Sequence, residues 1–237
     1  MFFINPPFGN YVNLPLCMPI KGSFTLYPRP GLIGKIFKTL RYDFNEGVWV
    51  NKIGLRNPGL THAINKYKKN KEIISIAIMD PREIKYIYNK IPEDMDIEIN
   101  VSCPNTEKNM VSNGLGIFLN YERTWCIIKL GPLSSPELID NYYKQGFRHF
   151  HCSNTLPCER GGKSGHVLKP YNEIIIQHIK NNYDDCEVIA GGGIQNYDDI
   201  KHYKNLGAKH YGVSSVLFHP IKFLKLYLNI IRNECLN

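Results

Sequence analysis

The sequence predicts an α/β fold, specifically a TIM (β/α)8 barrel, and three observations support this. From residue 73 onward, short apolar segments alternate with amphipathic segments of helical periodicity. Serial strand–helix units of this kind imply a parallel sheet. The 237 residues match the usual size of such a barrel, about 250 residues. Periodicity does not distinguish a closed sheet from an open one, so a doubly wound open sheet is the alternative. We expect one domain over residues 1–237.

The predicted strands leave little room for some of the helices. We expect strands at residues 2–6, 20–26, 73–79, 95–101, 125–130, 148–153, 187–190 and 209–213. The short segment between the first two contains Pro15 and Pro19, so a full helix does not fit there. The connection after the fourth strand is also short and rich in glycine. We therefore expect a barrel that lacks a full helix in both places. The segment around Trp49 is predicted to form a small hairpin after the second strand.

Start and stop signals delimit the helices. We expect helices at residues 81–89, 134–145, 171–180, 196–206 and 220–231. Asp80 is the predicted N-cap of the first of these, and Asn196 is a sound start because two acidic residues follow it. Gly146 and Gly207 suit helix ends. Residues 154–170 are expected to form a long loop.

Composition excludes several classes of protein. No run of eighteen apolar residues occurs, so no membrane span is expected, and the apolar start is too short for a signal peptide. The seven cysteines form no CxxC pair, which favours reduced thiols in a cytoplasmic protein without disulfides or a zinc site. The net charge is +8, but the lysines are scattered without an aromatic stacking motif, so a nucleic-acid partner is not favoured.

Amide and thiol side chains collect where the predicted strands end, which in a barrel is where chemistry occurs. Asn100, Cys103 and Asn105 leave one strand within six residues, while Asn51 and Asn154 follow two others. Asparagine offers a donor and an acceptor, so several can hold a planar, amide-rich ring. A partly ionised thiol can accept a proton. The alternative is that these asparagines only form turns.

Glycines and serines near the end of the chain indicate a phosphate site. Three consecutive glycines, 191–193, separate a strand from a helix, and Ser214 and Ser215 leave the next strand. The glycine-rich loop 161–165 would lie near the same end. A tight turn that needs glycine only for its geometry is the alternative. Lys129 ends another strand, where a buried ammonium group requires a negative partner.

These residues together resemble the dihydroorotate dehydrogenases, flavin-mononucleotide TIM-barrel enzymes of pyrimidine synthesis. The resemblance runs from about residue 23 to residue 223. It is carried by segments 25–31, 51–59, 100–105, 154–155, 161–170 and 191–194 and by the strand that ends in Lys129. The order and spacing of these motifs make a chance similarity improbable.

The resemblance implies roles for individual residues. Cys103 would be the catalytic base, and a cysteine there is typical of the soluble class 1 enzymes. The substrate would be held by Asn51, Ile53, Gly54, Leu55, Asn100, Asn105, Asn154 and Thr155. The FMN cofactor would be held by Lys21, Ser23, Asn100, Lys129, Gly162, Gly192, Gly193, Ser214 and Ser215. The family's lysine in the second strand aligns with Gly22, so Lys21 lies one residue early.

The implied activity is oxidation of dihydroorotate to orotate in UMP biosynthesis, with a soluble electron acceptor such as fumarate. The shortened helices leave barrel surface that a homodimer would cover. Two alternatives remain: a flavin-binding barrel acting on another dihydropyrimidine or a tRNA uridine, and a degenerate, non-catalytic barrel. An iron–sulfur partner subunit is not visible from this chain.

Overall fold

A closed barrel of parallel strands organises the computed structural model, which describes residues 1–101 and 112–235. In chain order the strands are β1 (Phe2–Ile4), β2 (Cys17–Phe24), β3 (Arg41–Asp43), β4 (Val48–Asn51), β5 (Ile73–Ala77), β6 (Ile97–Asn100), β7 (Cys126–Leu130), β8 (His149–Cys152), β9 (Leu156–Cys158), β10 (Gly161–Ser164), β11 (Glu187–Gly191) and β12 (His210–Val213). The barrel order is β1-β12-β11-β8-β7-β6-β5-β2. Strand β1 closes the ring by pairing in parallel with both β12 and β2. The predicted TIM barrel is confirmed.

The helices follow the strands around the outside of the ring. They are α1 (Leu32–Thr39), α2 (Leu60–Lys66), α3 (Glu83–Tyr88), α4 (Pro136–Lys144), α5 (Lys169–Asn182), α6 (Tyr197–Asn205) and α7 (Pro220–Ile230). At the start of α6, the Asn196 side chain accepts from the Asp199 amide and the Asp199 carboxylate accepts from the Asn196 amide. This reciprocal capping box confirms the predicted start of the helix.

The predicted shortening of the barrel is also confirmed in the described ranges. A single 3-10 turn, Phe8–Asn10, replaces the helix between β1 and β2, and another, Leu115–Phe118, precedes β7. The predicted start of α3 was wrong. Asp80 does not cap it; the residues after Asp80 form a turn, and Arg82 is the N-cap, without a side-chain hydrogen bond.

The prediction of a loop over residues 154–170 was wrong in part. Strands β9 and β10 lie within it and extend the predicted hairpin into a four-stranded sheet of order β3-β4-β10-β9. At this junction a Cβ on Gly161 would lie 2.1 Å from the Asn51 carbonyl oxygen, so only glycine permits the close approach of β10 to β4. The sheet lies at the barrel mouth and brings Asn51 there.

Apolar side chains fill two layers. Inside the barrel, the buried set is Phe3, Ile20, Ile73, Trp125, Ile127 and Ile189. A larger apolar layer lies between the strands and the helices. Above the inner apolar set, the interior becomes polar towards the carboxyl ends of the strands, and this change positions the site described next. Among the described helices, none is long and apolar enough to cross a membrane.

Candidate functional site

A cavity of about 410 Å³ opens at the carboxyl ends of the barrel strands. Its walls come from the segments that follow β1, β8, β11 and β12, from β2 and β7, and from the hairpin β3–β4 with helix α1. Parallel strands direct their carboxyl ends to one face of a barrel, so side chains far apart in sequence meet there.

Most of the residues predicted for the site line this cavity. From the predicted substrate set these are Asn51, Ile53, Gly54, Leu55, Asn154 and Thr155. From the predicted cofactor set they are Ser23, Lys129, Gly192, Gly193, Ser214 and Ser215. Cys103 and Asn105 lie outside the described residues.

Two predicted cofactor residues lie elsewhere. Lys21 does not line the cavity: its Nζ lies 2.7 Å from the Glu72 carboxylate. The neighbouring Ile20 points into the barrel interior, and alternation along β2 directs Lys21 outward. Gly162 pairs with Asn51 within the four-stranded sheet, and its neighbours Ser164 and Gly165 line the cavity instead.

A chain of hydrogen bonds crosses the barrel mouth. Asn154 donates through Nδ2 to Asn100 Oδ1 at 3.1 Å, and Asn100 donates through Nδ2 to Ser23 Oγ at 2.9 Å. Ser23 Oγ lies 2.8 Å from Ser75 Oγ. Asn100 is buried under the cavity and acts through Asn154 and Ser23, which line it. The predicted amides of β6 and β8 are therefore brought together.

Three ionisable side chains meet beneath this chain. Glu98 and His151 are fully buried and Lys129 nearly so. Lys129 Nζ lies 3.6 Å from Glu98 Oε1, His151 Nδ1 lies 2.5 Å from Glu98 Oε2, and Ser75 Oγ donates to Glu98 Oε1 at 2.7 Å. Lysine and carboxylate therefore neutralise each other at the base of the cavity.

Burial and the neighbouring charges determine the protonation states of Glu98 and His151. Burial alone would raise the pKa of Glu98, but the positive charge of the adjacent Lys129 and the hydrogen bonds from His151 and Ser75 lower it to about 2. Burial lowers the pKa of His151, so its imidazole is neutral at neutral pH and Lys129 supplies the positive charge. Neutral His151 then donates through Nδ1 to Glu98, and its Nε2 accepts from Asn5 Nδ2 at 3.0 Å. Asn5 Oδ1 is buried and finds no hydrogen-bond partner among the described residues.

Sequence reasoning missed Glu98, His151, Ser75 and Asn5. One signal was present for Glu98: it shares the inward face of β6 with Asn100, two residues later, and a charged side chain on a buried strand requires a partner. The partner itself could not be identified, because His151 is 53 residues away.

The opposite end of the cavity is built around the glycine turn after β11. Gly192 and Gly193 have φ values of +102° and +83°. Asn172 Nδ2 and the Tyr203 hydroxyl both donate to the Gly192 carbonyl oxygen, at 3.3 and 3.0 Å. The turn is thereby fixed with its backbone against the cavity, where amide N–H groups suit an anion.

Comparisons with known proteins agree with this arrangement. No protein-family model matches the sequence. The dihydroorotate dehydrogenase B (NAD(+)) catalytic subunit of Thermotoga maritima is 27% identical, over 89% of this chain and 87% of its own length. That of Staphylococcus carnosus is 26% identical over 76% and 70%. The dihydroorotate dehydrogenase A (fumarate) of Limosilactobacillus reuteri is 24% identical over 83% and 74%.

Solved structures show the same fold. The DHODH of Eimeria tenella in complex with ferulenol has a TM-score of 0.66 and 18% identity, covering 90% of this chain and 75% of that one. The ligand-free form has a TM-score of 0.64 and 18% identity, covering 88% and 76%. At this identity the likeness concerns the barrel fold.

Proposed function

The chain belongs to the dihydroorotate dehydrogenase family, and from that premise we propose that it oxidises dihydroorotate to orotate in pyrimidine synthesis with FMN as cofactor. One observation carries the proposal. Predicted ring-binding amides and predicted phosphate-site residues, which come from separate strand ends, line a single cavity. Every strand end of a barrel lies at this mouth, but residues that only form turns need not line its cavity.

The residues present fit FMN. Glycine backbone at 192 and 193 and the hydroxyls of Ser214 and Ser215 would hold the phosphate group. Lys129, at the base of the cavity, would stabilise negative charge on the flavin ring. The unpartnered Asn5 Oδ1 offers a buried acceptor to a ring donor. Among the described lining residues none is acidic, which suits an anionic cofactor.

The chemistry divides between the chain and the cofactor. Cys103, outside the described residues, would take the proton from C5 of dihydroorotate. Bound FMN supplies the acceptor for the hydride that leaves C6. Asn51 and Asn154 would hold the pyrimidine ring so that the reacting carbons stay aligned, and the buried Asn100 would position Asn154.

The thiols within the described ranges are poor candidates for the base. Burial raises the pKa of the Cys126 thiol to about 12 and that of Cys186 to about 11, and it also raises the pKa of Cys152. These three thiols remain protonated at neutral pH, and the other two cysteines whose side chains are described, Cys17 and Cys158, do not line the cavity. We therefore keep Cys103 as the proposed base, as the resemblance to class 1 implies. A soluble electron acceptor such as fumarate, which the Limosilactobacillus reuteri relative is named for, is part of the same proposal. A homodimer remains a prediction.

Anaerobic titration of the flavin-loaded protein with dihydroorotate tests the function. We expect the oxidised-flavin absorption to bleach while orotate forms in equal amount. A flavin-loaded protein that does not bleach would point to another dihydropyrimidine or to a binding role. A protein that takes up no FMN would overturn the cofactor assignment.

Variants at Cys103 test the mechanism. Cys103→Ala should retain FMN but slow its reduction by dihydroorotate by about a hundredfold or more, as expected for loss of a general base. Cys158→Ala is the matched control, because Cys158 lies on β9 and does not line the cavity. Equal reduction rates in Cys103→Ala and the control would remove Cys103 from the base role.

A further inference from the structure

We propose that Arg56 recognises the carboxylate of the substrate and so determines that the site takes an acidic dihydropyrimidine. This inference rests on the proposed function and adds a specificity-determining residue to it. Arg56 follows the turn formed by Gly54 and Leu55, and all three line the cavity.

The guanidinium of Arg56 has unused hydrogen-bonding capacity. Its Nη1 donates to the Pro30 carbonyl oxygen at 3.3 Å, while its Nε is buried and has no acceptor in the part of the chain that the structure describes. Within the described ranges, no carboxylate lies within ion-pair distance of it. A buried donor without an acceptor is costly, and an anionic ligand in the cavity would supply the acceptor.

The other cations near the mouth are already neutralised. Lys129 is the second charged residue among the described lining residues, and Glu98 offsets it at 3.6 Å. Lys21 points away to Glu72. Arg56 is therefore the lining cation whose charge no described carboxylate offsets. Because Lys129 is assigned to the flavin ring, Arg56 is the one left for an anionic group of the substrate.

The turn before Arg56 is prepared for an anion. Gly54 and Leu55 have φ values of +72° and +55°, and Leu55 is a non-glycine residue in the left-handed region. Within the described part of the chain, nothing accepts a hydrogen bond from the amides of Gly54 or Leu55. Two amide donors and a guanidinium thus follow one another along the cavity wall.

Neighbouring side chains hold this turn in place. Arg29 donates through Nε and Nη2 to the Gly54 carbonyl oxygen, each at 3.3 Å. Asn57 donates to the Leu55 carbonyl oxygen at 2.7 Å and accepts from the amides of Thr25 and Gly59. Because the turn is braced from both sides, its donors would meet a carboxylate without rearrangement.

Two observations indicate that the group bound by Arg56 is a carboxylate: the geometry of a guanidinium and the position of Arg56 away from the proposed phosphate site. A guanidinium binds a carboxylate through two parallel hydrogen bonds, a geometry that lysine cannot reproduce. The glycines and serines proposed to hold the cofactor phosphate belong to the segments after β11 and β12, whereas Arg56 follows the hairpin β3–β4. Apart from the cofactor phosphate, the anionic groups of the proposed reactants are carboxylates, and the one on the pyrimidine ring is the carboxylate of dihydroorotate and orotate.

Binding of orotate and of uracil, which lacks the carboxylate, tests the proposal in the flavin-loaded protein. Both ligands are titrated while the flavin absorption spectrum is followed, in wild type, Arg56→Gln and Arg56→Lys. We expect Arg56→Gln to weaken orotate binding by about ten- to a hundredfold and to leave uracil binding unchanged. The orotate affinity of Arg56→Lys should lie between those of wild type and Arg56→Gln. Lys52→Gln is the charge-matched control, because Lys52 is exposed and does not line the cavity.

Each other outcome overturns the proposal in a distinct way. Equal weakening of orotate and uracil in Arg56→Gln would mean that Arg56 only maintains the turn. Weaker FMN binding in that variant would assign Arg56 to the cofactor. Unchanged orotate binding would remove Arg56 from the site. If wild-type flavin is neither bleached by dihydroorotate nor perturbed by orotate, the proposed function fails and this inference falls with it.

Discussion

Replacing Glu98 by glutamine should destabilise the barrel strongly, because the change removes the carboxylate that faces Lys129. Glutamine has nearly the shape of glutamate, so packing is retained and the loss is electrostatic. Lys129 would be left as a buried ammonium group, with only 8% of its side chain exposed. Such a group costs free energy unless it is paired.

Two features of the structure give the size of the expected loss in the free energy of unfolding. Opposite unit charges 3.6 Å apart attract by about 5 kcal/mol at an effective dielectric constant of about 20. The lowering of the Glu98 pKa from 4.5 to about 2 corresponds to about 3 kcal/mol of stability at neutral pH. We therefore expect Glu98→Gln to lower the free energy of unfolding by about 3–5 kcal/mol, equivalent to roughly 6–20 °C in Tm.

The pH dependence follows from the direction of the shift. A carboxyl whose pKa is lower in the folded state contributes stability above its unfolded pKa and loses it as the pH falls through its folded value. The difference between wild type and Glu98→Gln should thus be full at neutral pH, shrink below 4.5 and vanish near 2.

Urea unfolding followed by circular dichroism measures this difference, with both proteins at the same FMN concentration, at neutral pH and at about pH 3. Glu173→Gln is the matched control, because Glu173 forms an exposed pair with His202 whose loss should cost less than about 1 kcal/mol. The double variant Glu98→Gln with Lys129→Met should recover much of the loss. A Glu98→Gln variant as stable as the control at neutral pH, or a stability difference that persists at low pH, would show that the Glu98 carboxylate does not stabilise the barrel by offsetting Lys129.

Three further predictions concern other parts of the molecule. Because burial lowers the pKa of His151, the folded protein loses stability as the pH falls below 6.5, where the unfolded chain takes up a proton first. In His151→Gln the free energy of unfolding, measured by urea titration, should fall less steeply with pH than in wild type, and an equal dependence on pH would contradict this. Gly192→Ala should weaken FMN binding by about tenfold, as measured by fluorescence titration. The φ of Gly192 is +102°, and an added Cβ would lie 2.7 Å from Leu168 Cδ1, so the turn would have to shift; wild-type affinity for FMN would contradict this. Asn196→Ala should lower the free energy of unfolding by about 1 kcal/mol whereas Asn196→Asp should not, and equal losses would exclude the capping role.

The sequence predicted which residues lie at the mouth of the barrel better than it predicted the connections between its elements. Strand ends can be located from local alternation, and a parallel barrel places all of them at one mouth. Asn51, Asn154, Lys129 and Gly192 could therefore be assigned to one site before any contact was known. Strands β9 and β10 were missed because they are three and four residues long, and β10 is stabilised by pairing with β4, more than 100 residues away.

Short-range periodicity and the positions of glycine and proline are enough to predict the serial strand–helix order, the missing helices and the residue types at the strand ends. Closure of the sheet into a barrel depends on the pairing of β1 with both β12 and β2, which local sequence does not specify. Tertiary structure alone decided which side chains are neutralised and which are left for a ligand. Lys21 and Lys129 are both lysines of barrel strands, yet one turns outward to Glu72 and the other inward to Glu98. Charge pairing depends on distances of a few ångströms between distant segments, and local sequence does not encode those distances.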